Sequence, residues 1–156
     1  MDGAGPSRLP ISRSAANRGC PEKGVVVTRD EVKIAEQVNF RTGKATIVRS
    51  SYRILNQVAD VLQKFGSIRK VEVQGHTDDV GRRPTNLRLS QRRADAVRLY
   101  LVRRGVAPTR LVGKGYGPDE PLVRVDSEGM SKAELKSARA KNRRVQFVIL
   151  ERGEGE

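Results

Sequence analysis

The chain is poor in the residues that most often carry chemistry. Its 156 residues include one cysteine, one histidine, three tyrosines, three phenylalanines and no tryptophan. The single Cys20, in NRGCP, cannot form an internal disulfide, and no cysteine cluster exists to hold zinc; its partner is either a thiol outside this segment or none. The single His76 has no HExxH motif and no Ser/His/Asp set around it, so neither a metalloprotease nor a triad hydrolase is expected. With so few rings, platforms for stacking nucleic-acid bases are scarce. No apolar run approaches the ~20 residues that a spanning helix needs. The opening MDGAGPSRLPISRSAANRG lacks the apolar core of a signal peptide, so any export signal is expected to have been removed or to lie upstream.

Acidic residues are also in short supply. There are 18 Asp plus Glu against 31 Lys plus Arg, a formal net charge of +13. Such a surface attracts nucleic acid, anionic lipid or acidic wall polymer without choosing among them. Arg88, Arg92, Arg98, Arg103 and Arg104, all within one helical stretch, keep a basic nucleic-acid- or polyanion-binding domain as the alternative reading. No helix-turn-helix or RNP-like pattern accompanies them.

What is present is a periodic pattern behind a loose start. Residues 1–24, rich in Gly, Pro, Ser and Arg, read as a flexible linker or a remnant; 25–152 read as one domain and 153–156 as a tail. Val32 and Ile34 alternate with Lys33 and Ala35 in a short strand leading toward Val38 and Phe40, and RTGK marks a turn at Gly43. Ser50 or Ser51 caps a helix whose inner positions are Ile54, Val58, Leu62 and Phe65, with Gly66 as its stop. KVEVQG is a strand, RLVGKGYG a strand weakened and bent by glycine, Lys132 to Ala140 a short helix, and RRVQFVIL a final strand. The order β-α-β-α-β-(α)-β predicts an α+β, two-layer sandwich with helices on one face of a small mixed sheet. Gly113, Gly115 and Gly117 imitate a dinucleotide-binding fingerprint, but no helix opens after them.

The remaining helix, expected from Asn86 to Arg104, poses the main question. Ala94, Val97 and Leu101 form its apolar stripe, flanked by Tyr100, and Arg93 falls inside that stripe. Asn86 and Ser90 share the inner side, whereas Arg88, Arg92, Asp95 and Arg103 face outward. A guanidinium on a buried face needs an anion, from the chain or from a ligand. Asp78 lies in the loop that precedes the helix, at a strand's C-terminal end, where ligands of α/β layers tend to bind. The two are either an ion pair tying loop to helix or a clamp for a zwitterion, with Arg93 forking onto a carboxylate and Asp78 onto an ammonium.

These residues fall within one continuous pattern, GHTD-x2-G-x4-N-x2-LS-x2-RA, filled by Gly75, His76, Thr77, Asp78, Gly81, Asn86, Leu89, Ser90, Arg93 and Ala94. Flanking pieces are VNF at Val38 to Phe40, GYG-x3-P from Gly115 to Pro121 and NRRV from Asn142 to Val145. Over roughly residues 30 to 150 the chain resembles the OmpA-like peptidoglycan-binding domain shared by OmpA C-termini, Pal lipoproteins and MotB-type stator proteins. The resemblance implies a non-catalytic module without cofactor that binds the meso-diaminopimelate of the peptidoglycan stem peptide. It implies Asp78 and Arg93 as the clamp, Thr77 and Asn86 beside them, and Asn142 and Arg143 as a second part of the site; His76 is expected to hold the loop by hydrogen bonds. It also implies a periplasmic domain, associated with the outer membrane or wall and tethered through an upstream region, with no nucleic-acid partner and with a homodimer left open. Two departures stand out. Arg41 replaces an acid that many relatives carry after the Phe of the first motif, and ARAK stands where GRAK or GRAM is common.

Overall fold

The computed structural model describes residues 24–153. Cys20, the stretch 1–23 and the last three residues of the expected tail lie outside that range. The strands are β1 (Val25–Val27), β2 (Glu31–Ile34), β3 (Ile68–His76), β4 (Leu111–Gly117) and β5 (Arg144–Arg152); the helices are α1 (Tyr52–Lys64), α2 (Arg83–Arg103) and α3 (Lys132–Asn142). The strands form one sheet in the order β1-β2-β5-β3-β4. β3 and β4 run parallel across the α2 connection, and the other neighbours are antiparallel. The fold is thus the expected α+β layering with a mixed sheet, with one strand more than the pattern revealed. β1 was missed because VVV has no alternation; only its pairing with β2 makes it a strand.

Period-two alternation puts Val32, Val71, Val73 and Phe147 on one face of the sheet. There they join Ile54, Leu55, Val58 and Leu62 of α1 and Ala94, Val97 and Leu101 of α2 in one apolar cluster. Phe65, expected in this core, is 37% exposed. α1 ends one residue earlier, and Phe65 leaves the helical path at φ −105°, ψ 79°. Ser51 does not cap α1 with its side chain; its Oγ accepts a hydrogen bond from Asn39 N at 2.8 Å, tying the chain before the helix to the chain after β2. β2 stops at Ile34, and Phe40 instead bridges to Ile47 across the Gly43 turn, where φ is +70°.

The glycines of β4 answer to the approach of α2, which corrects the simple picture of a bent strand. Gly75 and Gly115 are register partners on adjacent strands, and both lie directly under the helix. A Cβ on Gly75 would sit 2.3 Å from Ser90 O, and one on Gly115 would sit 2.2 Å from Gln91 N. Only glycine lets the helix backbone come this close. Gln91 then completes the contact: its Nε2 donates to Gly113 O at 3.0 Å, and its Oε1 accepts from Gly115 N at 2.9 Å.

The opposite face of the sheet is polar and hydrogen-bonded to itself. The hydroxyl of Tyr116 and the amide of Gln74 both donate to Glu72 Oε1, at 2.7 and 2.8 Å. Gln74 Oε1 lies 2.9 Å from Nε2 of His76, whose ring stacks on Tyr116. Burial, aided by the positive charge of Arg144, lowers the pKa of His76 from 6.5 to about 4. At neutral pH His76 is therefore an uncharged support at the end of β3.

Candidate functional site

β3, β4 and α2 meet the start of β5 at one end of the sheet, and the candidate residues gather there. The loop after β3 is pinned from several sides. Thr77 N donates to Gly117 O at 2.9 Å and Thr77 Oγ1 to Asp78 O at 3.0 Å. Asn86 Nδ2, from the first turns of α2, donates to Val80 O at 2.9 Å. The helix itself begins at Arg83, three residues before the expected start, with Pro84 in its first turn, where a missing N–H costs nothing. Asp78 Oδ1 accepts from Val80 N at 3.0 Å, which orients the carboxylate. Thr77 and Asn86 therefore hold the loop that carries Asp78.

Asp78 does not meet Arg93. Its second oxygen accepts a 2.6 Å hydrogen bond from Arg143 Nη1, in an ion pair whose side chains are 13% and 50% exposed respectively. The internal alternative considered from the sequence, an Asp78–Arg93 pair, is replaced by an Asp78–Arg143 pair. Arg93 is half-buried, as its place in the stripe required, but no carboxylate among the described residues serves it. Its Nε donates to Lys44 O at 2.8 Å, and its guanidinium carbon lies 4.9 Å from the centre of the Phe40 ring. Burial and the like charge of Arg143 push its pKa below the usual guanidinium value.

Both arginines open into one cavity of about 430 Å³, walled by Val38, Phe40, Thr42 and Gly43 on one side and by Ala140, Arg143 and Arg144 on the other. Among the described residues that line it, none is acidic. Three guanidinium groups line this space, and only Arg143 among them is ion-paired, with Asp78 outside the lining, so the cavity favours an anion. Arg144 is already engaged through Gln146 Oε1, Asn142 O and Glu120 O. Arg93 and Arg143 retain free donors.

Asn142 is 2% exposed and turned away from this space. Its Oδ1 accepts from Leu122 N and Val123 N, and its Nδ2 donates to Val123 O, each at 2.8 Å. It fixes the connection between β4 and α3 and so positions Arg143 next to it. Nothing in the sequence marked Phe40, Lys44 and Arg144 as parts of the site, although Phe40 and Arg144 lie within its flanking motifs. The turn signal at Gly43 was visible, but not that the turn folds back under Arg93.

A mixed sheet with a pinned acid in the loop after β3, an arginine just before β5 and a second arginine on the overlying α2, beside a cavity whose described lining holds no acid, defines the class as a small α+β module of two layers. The chain belongs to the OmpA family, whose model matches residues 39–143. Among its relatives, outer membrane porin F of Pseudomonas fluorescens is 37% identical over 76% of this chain and 33% of its own length. The peptidoglycan-binding protein ArfA of Mycobacterium tuberculosis is 37% identical over 72% of this chain and 32% of its own. The chain thus spans about a third of the length of these relatives. Among solved structures, a MotB-like protein from Desulfovibrio vulgaris superposes with a TM-score of 0.64 at 28% identity, covering 85% of this chain and 80% of that one. The peptidoglycan-associated lipoprotein of Burkholderia pseudomallei superposes with a TM-score of 0.58 at 26% identity, covering 85% and 95%. With outer-membrane and periplasmic proteins as its kin, the chain is an envelope-associated domain.

Proposed function

We propose that this domain binds peptidoglycan without catalysis, by clamping the free amino-acid end of diaminopimelate in the stem peptide, and so anchors an envelope protein to the wall. The observation that carries the reading is Arg93, a half-buried guanidinium held by a carbonyl and a ring but served by no acid of its own cavity. A ligand carboxylate supplies the missing counter-charge through two parallel hydrogen bonds. Asp78, oriented by its own loop, receives the ammonium on the same carbon. The names of ArfA and of the peptidoglycan-associated lipoprotein support wall material as the ligand.

Co-sedimentation with purified sacculi tests this. The domain should pellet with diaminopimelate-type walls at ~150 mM salt, and far less with lysine-type walls, whose side chain ends in an amine alone. Arg93→Ala should abolish pelleting and Arg92→Ala, exposed one residue away, should not. Because Asp78 is paired with Arg143, Arg93→Ala strands no carboxylate and should leave the melting temperature near that of the parent. Equal pelleting on both wall types, or equal loss in the two variants, would refute the clamp and leave general attraction to polyanions, which fades with salt.

A further inference from the structure

We propose that Arg143 is an internal stand-in for the ligand's ammonium, and that on binding it leaves Asp78 to receive a second carboxylate of the same ligand. The inference rests on the stem-peptide reading above and adds a specificity element to that site.

Arg93 and Arg143 flank one cavity, yet they are held very differently. Arg93 comes from the middle of α2 and is fixed by Lys44 O and the Phe40 ring. Arg143 follows α3, and its side chain is half exposed, with a single hydrogen bond, the one to Asp78. Asp78 is the less exposed partner, but the pair as a whole lies at the surface, and a partly buried carboxylate gains modestly from a cation beside it. In the empty site Arg143 supplies that cation. An exposed ion pair is worth about 1 kcal/mol or less, so an arriving ammonium that fits Asp78 displaces Arg143 cheaply.

Displacement then creates a new demand. The freed guanidinium lies beside Arg93 and Arg144 in a cavity whose described lining contains no acid. The like charge of Arg143 already weighs on Arg93 before any ligand enters. Arg144 is held in place by three hydrogen bonds, to Gln146, Asn142 and Glu120. A ligand bringing one carboxylate neutralises Arg93 only. A ligand bringing two neutralises Arg143 as well, and Arg143, freed from its single bond, is the group able to turn to the second. The site therefore selects an amino-acid end with another free carboxylate a short chain away.

Two small ligands separate the contributions: 2-aminopimelate, an amino-acid end with a distal carboxylate, and 2-aminoheptanoate, which lacks the distal group. Chemical-shift titration of the parent should show 2-aminopimelate binding about tenfold more tightly. In Arg143→Gln that preference should vanish, and 2-aminoheptanoate should bind more tightly than to the parent, because Asp78 is no longer occupied. Arg143→Lys, which keeps a charge but no fork, should restore part of the preference. If Arg143→Gln weakens both ligands alike, or leaves the preference intact, the stand-in role is overturned while the clamp stands. If neither ligand binds the parent, the clamp itself fails and the stand-in with it.

Discussion

Helices α2 and α3 each bring an arginine to the same cavity, but different physics holds them in place. α2 presses onto Gly75 and Gly115, buries Ala94, Val97 and Leu101, and is locked to β4 by the amide of Gln91. α3 buries only Ala138 and Asn142 and is tied down by side-chain polar bonds: Asp79 takes both prongs of Arg139 at 2.8 and 3.0 Å, and Asp78 takes Arg143. Close packing tolerates almost no displacement, whereas exposed ion pairs exchange partners readily. One arginine is thus built as a fixed post and the other as a hand that can let go.

The sharpest way to break this contrast is to push α2 off its seat. Gly115→Ala places a methyl 2.2 Å from the Gln91 backbone, which no rotamer relieves, and should destabilise by about 3 kcal/mol or more in urea unfolding. Acid probes the junction where β3 ends beside the start of β5. His76 has a folded pKa of about 4 against 6.5 for a free side chain, so between these values the unfolded chain binds the extra proton. Stability should therefore fall as pH drops from 6.5 toward 4, by at most about 1.4 kcal/mol per pH unit from this group, and the slope should flatten below. In His76→Gln that part of the slope should be missing. On the α3 side, Asn142→Ala removes three hydrogen bonds from the buried support of Leu122 and Val123. It should cost about 2 kcal/mol and make the 118–131 connection more open to limited proteolysis, with the α2 core unchanged. Asp79→Asn, which weakens one exposed pair, should change stability by less than about 1 kcal/mol, and less again in high salt.

The two sides also differed in how far the sequence revealed them. The α2 side was legible because its determinants are local: a 3.6-residue stripe, a glycine stop and two alternating strands define the layer without long-range knowledge. Arg93 on that stripe could be singled out for the same reason. The glycines were read as bending β4, since nothing in a strand pattern says that a helix backbone lies a few ångströms above it. Which acid Arg143 meets was not legible at all. Asp78 and Arg143 are 65 residues apart, and only the closure of β5 against β3, with His76 opposite Arg144, brings them together. The contacts of Phe40 and Lys44 with Arg93 were not legible either, because they exist only once the Gly43 turn folds back against Arg93.

Gln91 has one more consequence, for crowding. β4 is an outer strand of the sheet, and a strand there normally offers unpaired amides and carbonyls to any neighbouring chain. Here a side-chain amide imitates the next strand, accepting from Gly115 N and donating to Gly113 O. The rim is closed by the molecule's own helix. Copies held at high density along a surface can therefore lie with their β4 rims side by side without zipping together through that strand.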